Sequence, residues 1–169
     1  PEEPRAAMRT AIDIARAAGR KVALTLSDAF VISRHGPDFI AEMEAGRIDI
    51  LFANEVEICA LNSSDDFEAS VAAIAAKVPL LVCTRGEHGA IAIENGARTE
   101  APAKKVAQLV DTTGAGDLFA AGVFAGIAQG RSMADCLTMG AVCAAEVISH
   151  YGARPEADIA ALVEARLGA

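Results

Sequence analysis

The run Leu80-Leu81-Val82-Cys83-Thr84 has almost no polar side chain, and a strand of that composition must be covered on both faces. Covering both faces takes helices, and the chain supplies them. Residues 5–18 place Ala7, Met8, Ala11, Ile12, Ile14, Ala15 and Ala18 at helical spacing, with Gly19 as the stop. Similar patterns predict helices over 37–45, 55–61, 67–77, 117–129, 132–149 and 155–167. Ser64, Asp65 and Asp66 stand ready to cap the third of these, and Ser132 with Asp135 resembles a capping box. Strands are predicted over 22–26, 48–53, 80–84, 90–93 and 106–110, with Asn95-Gly96 as a hairpin turn. Helix and strand alternate through the first half, a hairpin follows, and helices close the chain. That order implies an α/β architecture on a largely parallel sheet.

A length of 169 residues suits a single domain, 1–169, with a real core. There is no Trp and one Tyr, so stacking surfaces for single-stranded nucleic acid are poor, and a net charge of −8 argues against nucleic acid or an anionic membrane as partner. Cys59, Cys83, Cys136 and Cys143 each lie in apolar segments without CxxC spacing, which reads as buried reduced thiols in a cytoplasmic protein. No segment reads as a signal peptide, and the longest apolar run, 118–128, is too short to span a bilayer. The opening Pro-Glu-Glu-Pro enters a helical pattern at once, as expected of the middle of a longer chain.

In open parallel sheets, ligands sit beyond the carboxyl ends of strands. Three polar or glycine-rich loops are predicted there. Asn54 and Glu57 follow the second strand; Thr84, Gly86 and Gly89 follow the third; Asp111-Thr112-Thr113-Gly114-Ala115-Gly116-Asp117 joins the last strand to a helix. The last is the most telling. Two glycines and an alanine at a strand-to-helix turn aim backbone N–H groups at one spot, where an anion can be held. Asp117 stands in the first helical turn beside that spot, placed to act as a base.

Each loop also has a simpler reading. Gly-Ala-Gly fits a tight turn, Asn54 and Glu57 an N-cap with an acidic first turn, and Thr84 to Gly89 a hairpin loop. Gly122 and Gly126 fit close helix packing, and Lys104 and Lys105 a solvated pair. His35, His88 and His150 are isolated, with no metal-ligand spacing.

Taken in order, these residues resemble the PfkB, or ribokinase-like, sugar and nucleoside kinases. The run 111–117, continuing Leu118-Phe119-Ala120-Ala121-Gly122, looks like that family's C-terminal signature; Asn54-Glu55-Val56-Glu57 is similar to its N-x-x-E motif, and Thr84-Arg85-Gly86 with Gly89 to its T-x-G-x-x-G loop. The stretch 148–155, Ile-Ser-His-Tyr-Gly-Ala-Arg-Pro, resembles the bacterial adenosine-kinase-like branch. The resemblance implies a three-layer αβα Rossmann-like fold and ATP-dependent phosphorylation of a primary hydroxyl, adenosine giving AMP first among acceptors, then ribose, fructose or a keto-deoxy sugar. It assigns the base to Asp117, the anion hole to Gly114, Ala115 and Gly116, nucleotide contacts to Asn54, Thr84, Gly86 and Gly89, and water-mediated Mg²⁺ to Glu57. Asp111 and Thr113 correspond to a monovalent-cation (K⁺) loop of many members. It further implies that this chain is the C-terminal, nucleotide-binding portion of a kinase whose N-terminal substrate and lid half lies outside it. Two consequences follow: sheet edges open to homo-oligomers, and a rival reading as a catalytically incompetent nucleotide-binding fragment.

Overall fold

The computed structural model describes residues 2–168, in the order α1 (Glu2–Ala17), β1 (Ala23–Thr25), α2 (Ala29–Glu44), β2 (Ile50–Asn54), α3 (Glu55–Asn62), α4 (Phe67–Ala75), β3 (Leu80–Thr84), β4 (Ala90–Glu94), β5 (Ala97–Ala101), α5 (Ala115–Ala128), α6 (Met133–Val147) and α7 (Ile159–Leu167). A short 3₁₀ turn, Gly86–His88, lies between β3 and β4. The strands make one open sheet in the order β1-β2-β3-β4-β5. β1 and β2 run parallel, with Ala23 opposite Ile50 and Thr25 opposite Phe52. The later strands follow one another through a short loop and a two-residue turn, so the sheet starts parallel and ends in hairpins rather than being parallel throughout. Asn95 at φ 47° and Gly96 at φ 85° form the turn that Asn-Gly predicts.

The chain clusters into two compact units: residues up to Cys83 together with Ile93–Ala97, and Thr84–Ala92 together with residues from Arg98 onward. In the first, Leu26, Met43, Ile48, Leu51, Ile58, Ile74 and Leu81 are almost fully buried, each worth roughly 1.5–3 kcal/mol of burial. In the second, α5 and α6 pack with their backbones close. A Cβ at Gly122 would stand 2.7 Å from the Met139 carbonyl, one at Gly140 2.8 Å from the Phe119 carbonyl, and one at Gly126 2.7 Å from Cys136 Sγ. Gly122 and Gly126 thus have the packing role their spacing suggested. Met139, Val142 and Val163 join α6 to α7.

Two predicted helix starts move and one predicted strand is lost, each for a physical reason. The helix expected from Pro37 begins eight residues earlier, capped by Asp28, whose side chain accepts the Phe30 N–H at 2.6 Å. Its buried stripe, Ile32, Gly36, Phe39 and Met43, crosses the proline. Burying three large side chains outweighs the roughly 3 kcal/mol cost of an internal proline. The strand expected at 106–110 is not a strand: residues 107–109 are exposed and the segment has no ladder partner among the described residues. β-rich composition without a neighbour does not make a strand. The last helix begins at Ile159 on an Asp158 cap rather than at Pro155, because a buried side chain, Glu146, already holds the Glu156 and Ala157 N–H groups. Of the four cysteines, all free, Cys59 is only half-buried, on a helix rather than in a core strand.

Candidate active site

The first unit carries the Asn54–Glu57 pair. Asn54 ends β2 and caps α3, so the chain turns from strand to helix at one residue. Its Oδ1 accepts the Glu57 N–H at 2.8 Å, Glu57 Oε2 accepts the Asn54 N–H at 2.9 Å, and Asn54 Nδ2 donates to Glu57 Oε1 at 2.9 Å. The capping-box reading is therefore realised, with a third bond that locks amide to carboxylate. Glu57 is buried. Burial pushes its carboxyl above the usual range, the Asn54 N–H opposes this, and the charge of Asp28 adds to the rise. Asp28 follows β1 as Asn54 ends β2, and these two strands are parallel neighbours. Sequence reasoning passed over Asp28 as a site residue, although its place just past a strand's carboxyl end is the same signal that singled out Asn54. Ser27 beside it takes φ 63°, a left-handed conformation unusual without glycine.

The second unit carries the other two loops. After β3, Arg85 donates its N–H to the Gly89 carbonyl at 2.7 Å, closing the loop around the 3₁₀ turn. Gly89, at φ 88°, has no room for any side chain: a Cβ would lie 2.1 Å from the Ala101 carbonyl. Gly86, at φ 53°, has open space around it. The fold thus explains Gly89 fully, and Gly86 through its backbone conformation alone.

In the 111–117 turn, Asp111 Oδ1 accepts both the N–H (2.9 Å) and the hydroxyl (2.7 Å) of Thr113, while Oδ2 accepts the Gly152 N–H at 3.0 Å. The Thr113 N–H, the Gly152 N–H and the Thr113 hydroxyl hold the Asp111 carboxyl below its usual range. A K⁺ ion at this carboxylate would share oxygens already taken by donors. Gly114 caps α5 at φ 82°, and a Cβ there would stand 2.8 Å from that of Ala153. The Ala115 N–H is spent on the Thr112 carbonyl and that of Leu118 on Gly114. Among the described residues the N–H groups of Gly114, Gly116 and Asp117 have no partner, so of the expected Gly114-Ala115-Gly116 set only the Ala115 N–H is spent, and that of Asp117 joins the open donors. Gly116 has ordinary φ and nothing within 4 Å of where a Cβ would be. The Asp117 carboxylate is exposed at the third helical position. Free donors, a glycine that no packing demands and an exposed carboxylate on one turn suit a phosphate with a hydroxyl beside it.

The 148–157 loop backs this turn. The Ile148 carbonyl accepts the Val110 N–H at 2.9 Å. His150, isolated in sequence, meets Glu146 here at 3.3 Å. A cleft of 490 Å³ beside them is lined by Lys104, Lys105, Glu146, His150 and Leu162 among others. Among the described residues, no three His, Cys, Asp or Glu side chains gather closely enough to ligate a metal directly, and no helix is long and apolar enough to cross a membrane.

Comparison with known proteins gives this geometry a lineage. The pattern of the pfkB family carbohydrate kinases matches residues 1–160. The chain is 34% identical over 118 residues to a cytidine kinase of Thermococcus kodakarensis, covering 68% of this chain and 42% of that one. The solved adenosine kinase of Sinorhizobium meliloti superposes with a TM-score of 0.90 at 39% identity, over 96% of this chain and 49% of that one. A probable sugar kinase of Rhizobium etli CFN 42 gives 0.89 at 38% identity, over 93% and 47%. The chain therefore spans less than half the length of each of these relatives, while its own α/β elements are matched almost throughout. By sequence pattern and by fold, the chain belongs to the pfkB family of carbohydrate kinases.

Proposed function

We propose that this chain is the nucleotide-binding, catalytic portion of an ATP-dependent kinase that phosphorylates a primary hydroxyl of a nucleoside or sugar. The observation that carries the reading is Gly116. Neither backbone conformation nor packing asks for glycine there, and glycine inside a helix costs about 0.5–1 kcal/mol against alanine. A bare backbone beside two open N–H groups is what close approach of a phosphoryl oxygen requires.

Phosphoryl transfer needs positioning and charge stabilisation more than covalent help. The N–H groups at the start of α5 would hold the transferred group. Asp117 would take the acceptor's proton as the new P–O bond forms, since a sugar hydroxyl is too weak an acid to lose it beforehand. Thr84 and Gly86 would meet the nucleotide. Asn54, Glu57 and the nearby charge of Asp28 suit a hydrated Mg²⁺: burial raises the Glu57 carboxyl most, and a cation would relieve the smaller part that the Asp28 charge adds. Mg²⁺ when bound would draw charge from the phosphates. Asp111 and Thr113 would form a K⁺-responsive loop in which the ion shares the Asp111 oxygens with the Thr113 and Gly152 donors.

Adenosine is the favoured acceptor, on the 148–155 stretch and on the likeness to an adenosine kinase. A sugar acceptor is the alternative, since a sugar kinase is as similar. The test is ATP-dependent phosphorylation of a panel of nucleosides and sugars by the full-length protein and its Asp117→Asn variant. Turnover should fall by about two orders of magnitude or more while ATP binding persists; unchanged turnover removes Asp117 from the mechanism. The 169-residue chain alone should bind ATP weakly and not turn over, because the acceptor site lies mainly outside it. Sustained turnover by the chain alone would overturn that division of labour.

A further inference from the structure

We propose that Glu146 and His150 are a positioning pair, a buried clamp that fixes the 148–157 loop and, through it, the 111–117 turn. The proposal rests on the phosphate-binding role of that turn only for its consequence, not for its geometry.

Glu146 lies near the end of α6 and is 8% exposed. Its Oε1 accepts the N–H groups of Glu156 and Ala157, each at 2.8 Å, and faces His150 Nε2 at 3.3 Å. The loop so gathered reaches back to the motif at three points. The Ile148 carbonyl takes the Val110 N–H, Gly152 donates to Asp111, and Ala153 stands where a side chain on Gly114 would be. A shift in the loop therefore moves the residues from which α5 starts.

Holding two N–H groups does not by itself call for a charge, because a glutamine carbonyl would serve. Glu146 Oε2 is buried without a hydrogen-bond partner among the described residues, and a buried carboxylate is costly unless another group uses its charge. His150 is that group. Its Nδ1 faces the Tyr151 carbonyl at 3.3 Å while Nε2 faces Glu146. A neutral ring has one N–H and can serve only one of the two; the imidazolium serves both. Glu156, 3.8 Å from Nδ1, and the more distant Asp111 favour that charged form. Lys104 and Lys105, across the shared cleft, oppose it.

The titration behaviour agrees. The Tyr151 carbonyl raises the His150 pKa most, burial opposes, and Glu146 and Glu156 add to the rise. Burial alone would push Glu146 upward, but the Ala157 and Glu156 N–H groups and the His150 ring more than offset it and leave it lowered. With the histidine pKa raised, the clamp's stabilisation is full below the ordinary histidine value and is lost as pH rises through the folded one.

The test is backbone-amide NMR of the full-length protein against pH, for wild type, Glu146→Gln and His150→Gln, with Mg·ATP added at the end. In wild type the Gly116, Asp117 and Gly152 amides should titrate together, with a midpoint above that of a free histidine. His150→Gln should abolish that titration and Glu146→Gln should lower its midpoint, and both should speed amide exchange in the turn about tenfold or more, as expected if roughly 1.4 kcal/mol of local ordering is lost. A change in melting temperature with the titration and exchange of the turn intact overturns the proposal. If Glu146→Gln does not fold, His150→Gln decides by the same readout. Mg·ATP separates the two readings. Turn amides that respond to the variants but not to ATP uphold the clamp and remove the phosphate role. Amides that shift with ATP and keep wild-type titration and exchange in both variants do the reverse.

Discussion

Replacing Gly116 by alanine should make the protein more stable and worse at holding phosphate. Gly116 occupies the second position of α5, has ordinary backbone angles, and leaves open space where a Cβ would go. Alanine there gains about 0.5–1 kcal/mol from helix propensity and a less flexible unfolded chain. For a chain of this size that raises the melting temperature by roughly 1–4 °C. The same methyl stands over the open N–H groups of Gly116 and Asp117. Loss of one hydrogen bond to a charged oxygen, about 1.5–3 kcal/mol, should weaken Mg·ATP binding tenfold or more. Gly114 is the internal contrast. Its left-handed backbone costs an alanine about 1–2 kcal/mol, and the new Cβ would stand 2.8 Å from that of Ala153, so Gly114→Ala should lower the melting temperature by several degrees. Thermal unfolding and calorimetric titration of both variants provide the assay. A destabilised Gly116→Ala would mean that the fold does need the glycine. A stabilised one that binds Mg·ATP as wild type does would remove the anion approach on which the proposed chemistry stands.

Gly89→Ala should destabilise by about 3 kcal/mol or more, because strain at φ 88° is joined by a Cβ 2.1 Å from the Ala101 carbonyl; urea unfolding would show this, and a mild effect would mean the loop is free to move. Glu57, with its pKa raised mainly by burial, holds its proton more tightly folded than unfolded. Its ionisation therefore lowers stability as pH rises through the folded pKa, and Glu57→Gln should flatten that fall in urea midpoints measured from about pH 4 to 8. Asp111 is the opposite case. Its lowered pKa means stability that is present above the unfolded carboxylate value and lost as pH falls through the folded one. Asp111→Asn should remove this acid-side slope and speed exchange of the Gly152 amide; an unchanged amide would refute the link from motif to loop.

The sequence showed most where local chemistry decides. Asn54 ends a strand and caps a helix because its side chain can do both, and Asn95-Gly96 turns because both residues accept positive φ; neither needs knowledge of the rest of the chain. The sequence misled where distant partners decide. Pro37 marks a helix start in isolation, yet the stripe from Ile32 to Met43 is buried across it. Residues 106–110 have strand composition but no neighbour to pair with. His150 looked solitary because Glu146, one helical turn away, is ordinary by itself; the pair becomes visible only when the loop folds back to place Glu156 and Ala157 on the same carboxylate oxygen.

That contrast bears on which site residues carry functional weight. Asn54, Gly89, Gly114 and Asp111 each have a structural duty that accounts for their type: a cap, a close backbone approach, a left-handed turn and a tether to Gly152. Their presence in a kinase-like pattern is compatible with function but does not depend on it. Gly116 and Asp117 are different. Gly116 sits in a helix with room for a methyl, so alanine would improve the fold there, and the exposed Asp117 carboxylate, without a partner among the described residues, has only its favourable place in the first helical turn as a structural duty. The other duties in the turn serve to hold these two residues still. The phosphoryl transfer proposed above would ask for that division of labour: a scaffold that over-determines the backbone, with open amides and one carboxylate left free.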